Sequence, residues 1–198
     1  MNEFTLLAQP WWVNLLTLVP FCAFAGWRSK GLAISNRTLA AAALFGMAFG
    51  FVEAAVVVYL RAAVGLLVDY GGTLSEVARL SSAMYQNAQL LSELPDGLFT
   101  VEVFREAATM IMLLSIAFLA ADSLRERCAL FLWAFASWDI FYYAGLWLTV
   151  RWPPSLLTLD VLFLIPVPWV AQVWFPIFLS TLTLLAVVLA RRFGERGA

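Results

Sequence analysis

The side chains best placed for chemistry are acids set inside apolar runs. Glu53 lies near the middle of one run and Asp139 near the middle of another. A charge at the centre of a bilayer costs about 2.5–3.5 kcal/mol on insertion scales, so such residues face a bundle interior or water and have partners. A third run opens with Glu102, Arg105 and Glu106, which share one helical face with Thr109 by i, i+3 and i+4 spacing. In a first turn, Glu102 also suits the helix dipole. Glu106 lies a turn deeper and needs another explanation, and Arg105 can pair with either acid. In Trp138-Asp139-Ile140-Phe141-Tyr142-Tyr143 the phenols of Tyr142 and Tyr143 stand beside Asp139. A phenol can hydrogen-bond a carboxylate and hold it charged or neutral. Asp160 interrupts a further short apolar stretch, and Arg61, two turns beyond Glu53 and about 80° round the helix, can snorkel to an interface.

What these residues cannot do is also informative. The chain has no histidine, which removes His-ligated haem, the usual His-containing catalytic zinc sites, Ser-His-Asp and Cys-His nucleophiles and His proton relays. Cys22 and Cys128 are expected as packing residues near the inner ends of helices, without a disulfide. Glu53, Glu106, Asp139 and Asp160 can offer oxygen ligands to Mg²⁺, Ca²⁺ or Mn²⁺, but no D-x-D or D-x-x-D string accompanies them. No catalytic residue, metal or cofactor is specified by the sequence.

The elements that must position these residues are transmembrane helices. Of 198 residues, 63% are hydrophobic and only 13% charged, too little charge to cover a soluble domain. The net charge of −1 gives no basic face for nucleic acid. A bilayer needs about 20 apolar residues per helix. Five stretches qualify: Pro10 to Trp27, Thr38 to about Val68, Val101 to Ala121, Cys128 to Val150, and Trp169 to Leu189, the last kinked at Pro176. Ser155 to Ile165, bracketed by Pro153-Pro154 and Pro166-Val167-Pro168, reaches about 16 Å as a helix and is expected as a half-helix that does not cross. Within the stretch Asp69 to Thr100, Leu74, Val77, Ala78, Ser81, Met84, Tyr85, Ala88 and Leu91 recur at helical spacing, which predicts an external amphipathic helix. Pro95-Asp96-Gly97 then reads as a turn leading into the third span. The fold class is therefore all-α, a single polytopic membrane bundle of five helices plus these two pieces.

Charge orients the bundle. With five spans, Arg28, Lys30, Arg37, Arg125, Arg127, Arg191, Arg192 and Arg196 fall on one side, the cytoplasmic side by the positive-inside rule. The N-terminus is then outside and the C-terminus inside. The start carries Glu3 where a secretory signal has basic residues, so the N-terminus is expected to be retained. Trp11, Trp12, Trp27, Trp152 and Trp169 are expected in interfacial belts. Gly46 and Gly50 form a G-x-x-x-G pair that allows close helix approach, and Glu53 lies about 20° from Gly46 on that face. The acids thus fall in the middle or outer half. Glu53, Glu102, Arg105, Glu106, Asp139, Tyr142, Tyr143, Asp160 and Arg61 form the candidate binding set of one outward-open cavity.

The strings Arg105-Glu106-Ala107-Ala108-Thr109, Trp138-Asp139-Ile140-Phe141-Tyr142-Tyr143 and Leu162-Phe163-Leu164-Ile165-Pro166-Val167-Pro168-Trp169 resemble those of an uncharacterised family of bacterial inner-membrane proteins, over roughly the second to fifth spans. The resemblance implies a location in the inner membrane and no activity. Eleven arginines against one lysine also suggest a GC-rich bacterial source. Three functions stay open. Mid-membrane carboxylates, tyrosines and a broken helix suit ion or small-solute transport, with a homo-oligomer or other membrane subunits as partners. Small size and a close-packing helix suit an accessory or assembly subunit. A carboxylate-only metal enzyme is the third.

Overall fold

The computed structural model describes residues 7–63 and 96–196, without the side chains of 60–63, 96, 98 and 194–196. The stretch expected as an external amphipathic helix lies outside the described residues, apart from its last few positions. A 3₁₀ segment, Trp11–Thr17, runs into α1, Leu18–Trp27. The chain then forms α2 (Asn36–Ala63), α3 (Asp96–Ala120), α4 (Leu124–Val150), strands β1 (Leu159–Phe163) and β2 (Trp169–Gln172), and α5 (Trp174–Arg196). The all-α bundle expected from composition is present, and α2, α3, α4 and α5 are each long and apolar enough to cross a membrane.

Local chemistry sets the helix ends. Gly31, at φ 64°, donates its N–H to the Trp27 carbonyl at 2.8 Å and turns the chain after α1. Ser35 Oγ accepts the Thr38 N–H at 3.0 Å at the start of α2. Ser123 Oγ accepts the Glu126 N–H at 3.2 Å and donates to the Glu126 carboxylate at 2.9 Å, which caps α4. Arg151 ends α4 in the left-handed region, at φ 57°. The third span begins at Asp96, so Asp96 and Gly97 belong to its first turn rather than to a turn before it.

Helix α4 is the most buried of the spans and is the one on which the others pack. Its tightest neighbour is α2. A methyl group on Gly46 would lie 2.5 Å from the Ala134 carbonyl oxygen, and one on Gly50 would lie 2.4 Å from that of Trp138. Only glycine lets the two backbones meet there. Gly145 of α4 repeats the arrangement against Ala54. At the end of the bundle where α1 stops and α2 begins, Trp27, Leu32, Ile34, Ala117, Leu130 and Val187 share one apolar cluster.

Two expectations about the segment after α4 are corrected. Ser155 to Ile165 is not a half-helix. It is a turn leading into β1, which pairs antiparallel with β2 through Leu159–Gln172, Asp160–Ala171 and Val161–Val170. Gln9 extends the pairing by exchanging 2.8 Å backbone bonds with Val170. A helix of about eleven residues has little stability of its own, whereas the hairpin satisfies its backbone groups by pairing β1 with β2 and β2 with Gln9. Pro176 does not kink the last span either. Trp169–Gln172 is strand, α5 starts at Trp174 and Pro176 sits in its first turn, where a missing N–H costs nothing.

The tryptophans expected in interfacial belts differ in burial. Trp11 is exposed, but Trp27 and Trp152 are buried in the protein, the latter stacked on Tyr143. Trp12 meets Trp169 edge to face at 5.2 Å. Cys22 and Cys128 are unbonded and both exposed, so neither packs a core.

Candidate functional site

Glu53 is carried inward by the glycine face of α2, and its side chain is buried. Across from it α3 presents Arg105 and Thr109. Arg105 Nη1 donates to Glu53 Oε2, and Thr109 Oγ1 donates to Glu53 Oε1 at 2.7 Å. The same guanidinium reaches Glu102, with Nη2 2.9 Å and Nε 3.2 Å from its Oε2. Arg105 therefore lies between two carboxylates from different helices. Its planar fork of donors suits such double engagement.

Glu106, one position on, turns to the hairpin. Its carboxylate accepts the Leu164 N–H at 2.9 Å and the Ile165 N–H at 3.2 Å. These are the donors left over where the strand ladder ends at Phe163. The carboxylate supplies what no helix or strand partner does, and so allows irregular backbone against the bundle.

Asp139 is buried on α4 and accepts a 2.7 Å bond from Ser180 Oγ of α5. Tyr143, one turn along α4, donates its hydroxyl to Asp160 Oδ2 of β1 at 2.8 Å. Asp160 and Asp139 lie within electrostatic reach of each other. Tyr142 stacks on Trp138 and meets Tyr143 edge to face. Arg61 falls within α2, but its side chain lies outside the described residues.

The structure thus brings Glu53, Glu102 and Arg105 into one centre between α2 and α3. It places Asp139, Asp160 and Tyr143 in a second group around α4, and gives Glu106 to the hairpin backbone. Among the described residues, no three acids or cysteines gather as a metal-ligand set, so Glu53, Glu106, Asp139 and Asp160 do not form the oxygen cage considered from sequence. Ser180 and the two hairpin amides were not anticipated. Backbone donors leave no mark in sequence, and Ser180 is one of three hydroxyl residues on an apolar helix. Compared with protein-family models, curated proteins and solved structures, the chain matches none.

Proposed function

We propose that the chain is a five-span protein of a bacterial inner membrane that moves protons or small cations, with its N-terminus outside and its C-terminus in the cytoplasm. One observation carries the reading. Glu53 and Glu102 share the guanidinium of Arg105, while two more buried acids, Glu106 and Asp139, are held by the hairpin amides and by the Ser180 hydroxyl. One buried carboxylate, Glu53, suffices for the structural ion pair with Arg105 and its hydrogen bond from Thr109. Glu106 and Asp139 are buried as well, in a low-dielectric region where negative charge is matched by protons or cations. The hydroxyls of Thr109, Ser180 and Tyr143 offer oxygen atoms to either.

The fifth span is α1 with its preceding turn. Seven 3₁₀ residues and ten α residues rise about 29 Å together, which matches a hydrocarbon core of about 30 Å. Eight basic residues on one side support the orientation. Reporter fusions at the two termini are expected to report opposite sides, and both on one side would overturn it. Five spans without a repeat are few for alternating access, so the reading includes a homo-oligomer or a partner subunit.

The competing reading, an accessory or assembly subunit, draws on the intramolecular partner that each of Glu53, Glu102, Glu106, Asp139 and Asp160 has. Flux measurement separates the two. In sealed vesicles containing the purified chain, an imposed proton, Na⁺ or K⁺ gradient is expected to dissipate faster than in empty vesicles. Glu53→Gln and Asp139→Asn are expected to bring the rate back to that of empty vesicles while the protein stays folded. No flux for any of the three ions, from the unaltered chain alone or with the membrane subunits that co-purify with it, would sink the transport reading.

A further inference from the structure

The opposite end of the bundle carries a feature that this reading does not use. Where α2 begins and α5 ends, Asn36, Leu39, Val188, Arg191 and Arg192 line a cavity of about 290 Å³. Val188, Arg191 and Arg192 share one face of α5 by i, i+3 and i+4 spacing. Arg191 donates to Asn36 Oδ1, a link that ties α5 to α2 and fixes the guanidinium beside the cavity. Arg192 is exposed on the same rim.

The lining has two characters. Asn36, Arg191 and Arg192 offer hydrogen-bond donors and positive charge, and no carboxylate lines the cavity among the described residues. Leu39 and Val188 supply the apolar part, and Leu39 is buried in the inner cluster. Glu126, in the cap of α4, is engaged by Ser123 and the Ala33 N–H. A ligand that fits has an anionic head with two or more acceptor oxygens, and an apolar body beside it. The volume suits a headgroup rather than a whole lipid. Arginine forks bind phosphate bidentately, and basic residues at a bilayer surface attract anionic lipids.

We propose that this cavity binds the phosphate headgroup of an anionic membrane phospholipid, with Arg191 and Arg192 on the phosphate oxygens and Leu39 and Val188 against the glycerol region. The site joins α2 to α5, so an occupied headgroup braces the inner end of the bundle. This does not depend on the transport reading.

The test uses the full chain in detergent and native mass spectrometry with phosphatidylglycerol and phosphatidylcholine of identical acyl chains. Phosphatidylglycerol is expected to bind at least about tenfold more tightly. Arg192→Gln and Arg191→Gln are each expected to weaken it about tenfold, as loss of a charged hydrogen bond predicts. Arg28→Gln, on the same side but outside the cavity lining, is expected to leave it within about twofold, the scatter of a surface charge. Should Arg191→Gln fail to fold for want of the link to Asn36, Arg192→Gln decides alone. Equal binding of the two lipids overturns the proposal, as does an Arg28→Gln loss equal to that of Arg192→Gln. Displacement of the lipid by millimolar inorganic phosphate would make the site one for the free anion and would overturn the lipid assignment.

Discussion

Replacement of Arg105 by leucine is expected to lower the stability of the chain by about 3 kcal/mol, because it leaves a buried carboxylate without its cation. Glu53 is the residue that suffers. Its side chain is 6% exposed, against 12% for Glu102, and Glu102 lies closer to the start of α3. Thr109 alone would then face the Glu53 carboxylate. Leucine matches the apolar surroundings, so the loss reports the charge and not a cavity. A double-mutant cycle makes the point sharper. Glu53→Gln with Arg105→Leu removes both partners and is expected to recover most of the lost stability, since replacing a buried ion pair as a unit is often close to neutral. Denaturation in detergent micelles followed by circular dichroism reads both effects. Equal stability for Arg105→Leu and the unaltered chain would show that the ion pair contributes nothing to holding α3 on α2. Losses that simply add in the double variant would show that the two groups do not interact.

This pair was partly legible in the sequence, and the reason is physical. The approach of α2 to α4 depends on Gly46 and Gly50, a local pattern whose meaning does not change with context. The same periodicity turns Glu53 inward, and an acid at that depth needs a cation that the chain offers at few places. The Glu102–Arg105 contact is an i, i+3 pair and follows from spacing. What the sequence hid was decided by distant partners. Residues 155–165 are apolar and bracketed by prolines, a pattern that helix and strand share. Gln9 and Glu106, both remote along the chain, tip the balance to a hairpin. Ser180 was hidden for a different reason. A hydroxyl in a helix commonly bonds the carbonyl four residues back, as Thr181 and Thr183 do to Ile177 and Leu179. Nothing local marks Ser180 as the one that turns to Asp139. Trp27 and Trp152 show the limit of belt rules. Both stand near helix ends, but packing against Leu32 and Tyr143 draws them into the protein.

Glu106→Ala is expected to free the hairpin from α3 and to cost about 2–6 kcal/mol, because two amide donors lose their acceptor, at about 1–3 kcal/mol for each group left unsatisfied. Leu164 and Glu106 are both buried, so water does not readily take over the bond. Glu106→Gln distinguishes geometry from charge. Oε1 lies 3.1 Å from the Leu164 N–H and 3.2 Å from the Ile165 N–H, so a glutamine carbonyl at that position keeps both contacts. Its amide then occupies the Oε2 position, 2.9 Å from the Leu164 nitrogen, and opposes one donor with another. The glutamine variant is therefore expected to fall between alanine and the unaltered chain, with a loss of about 1–2 kcal/mol. Amide hydrogen exchange supplies a readout that global stability does not. Exchange at Leu164 and Ile165 is expected to accelerate strongly in Glu106→Ala and modestly in Glu106→Gln, while amides in the middle of α4 keep their protection. Tyr143→Phe provides the comparison, since it removes a different side-chain tie between hairpin and bundle, to Asp160, without touching those two amides. If exchange at Leu164 and Ile165 is the same in all three variants as in the unaltered chain, the carboxylate of Glu106 does not hold the hairpin, and its burial beside Arg105 must serve the charged centre instead.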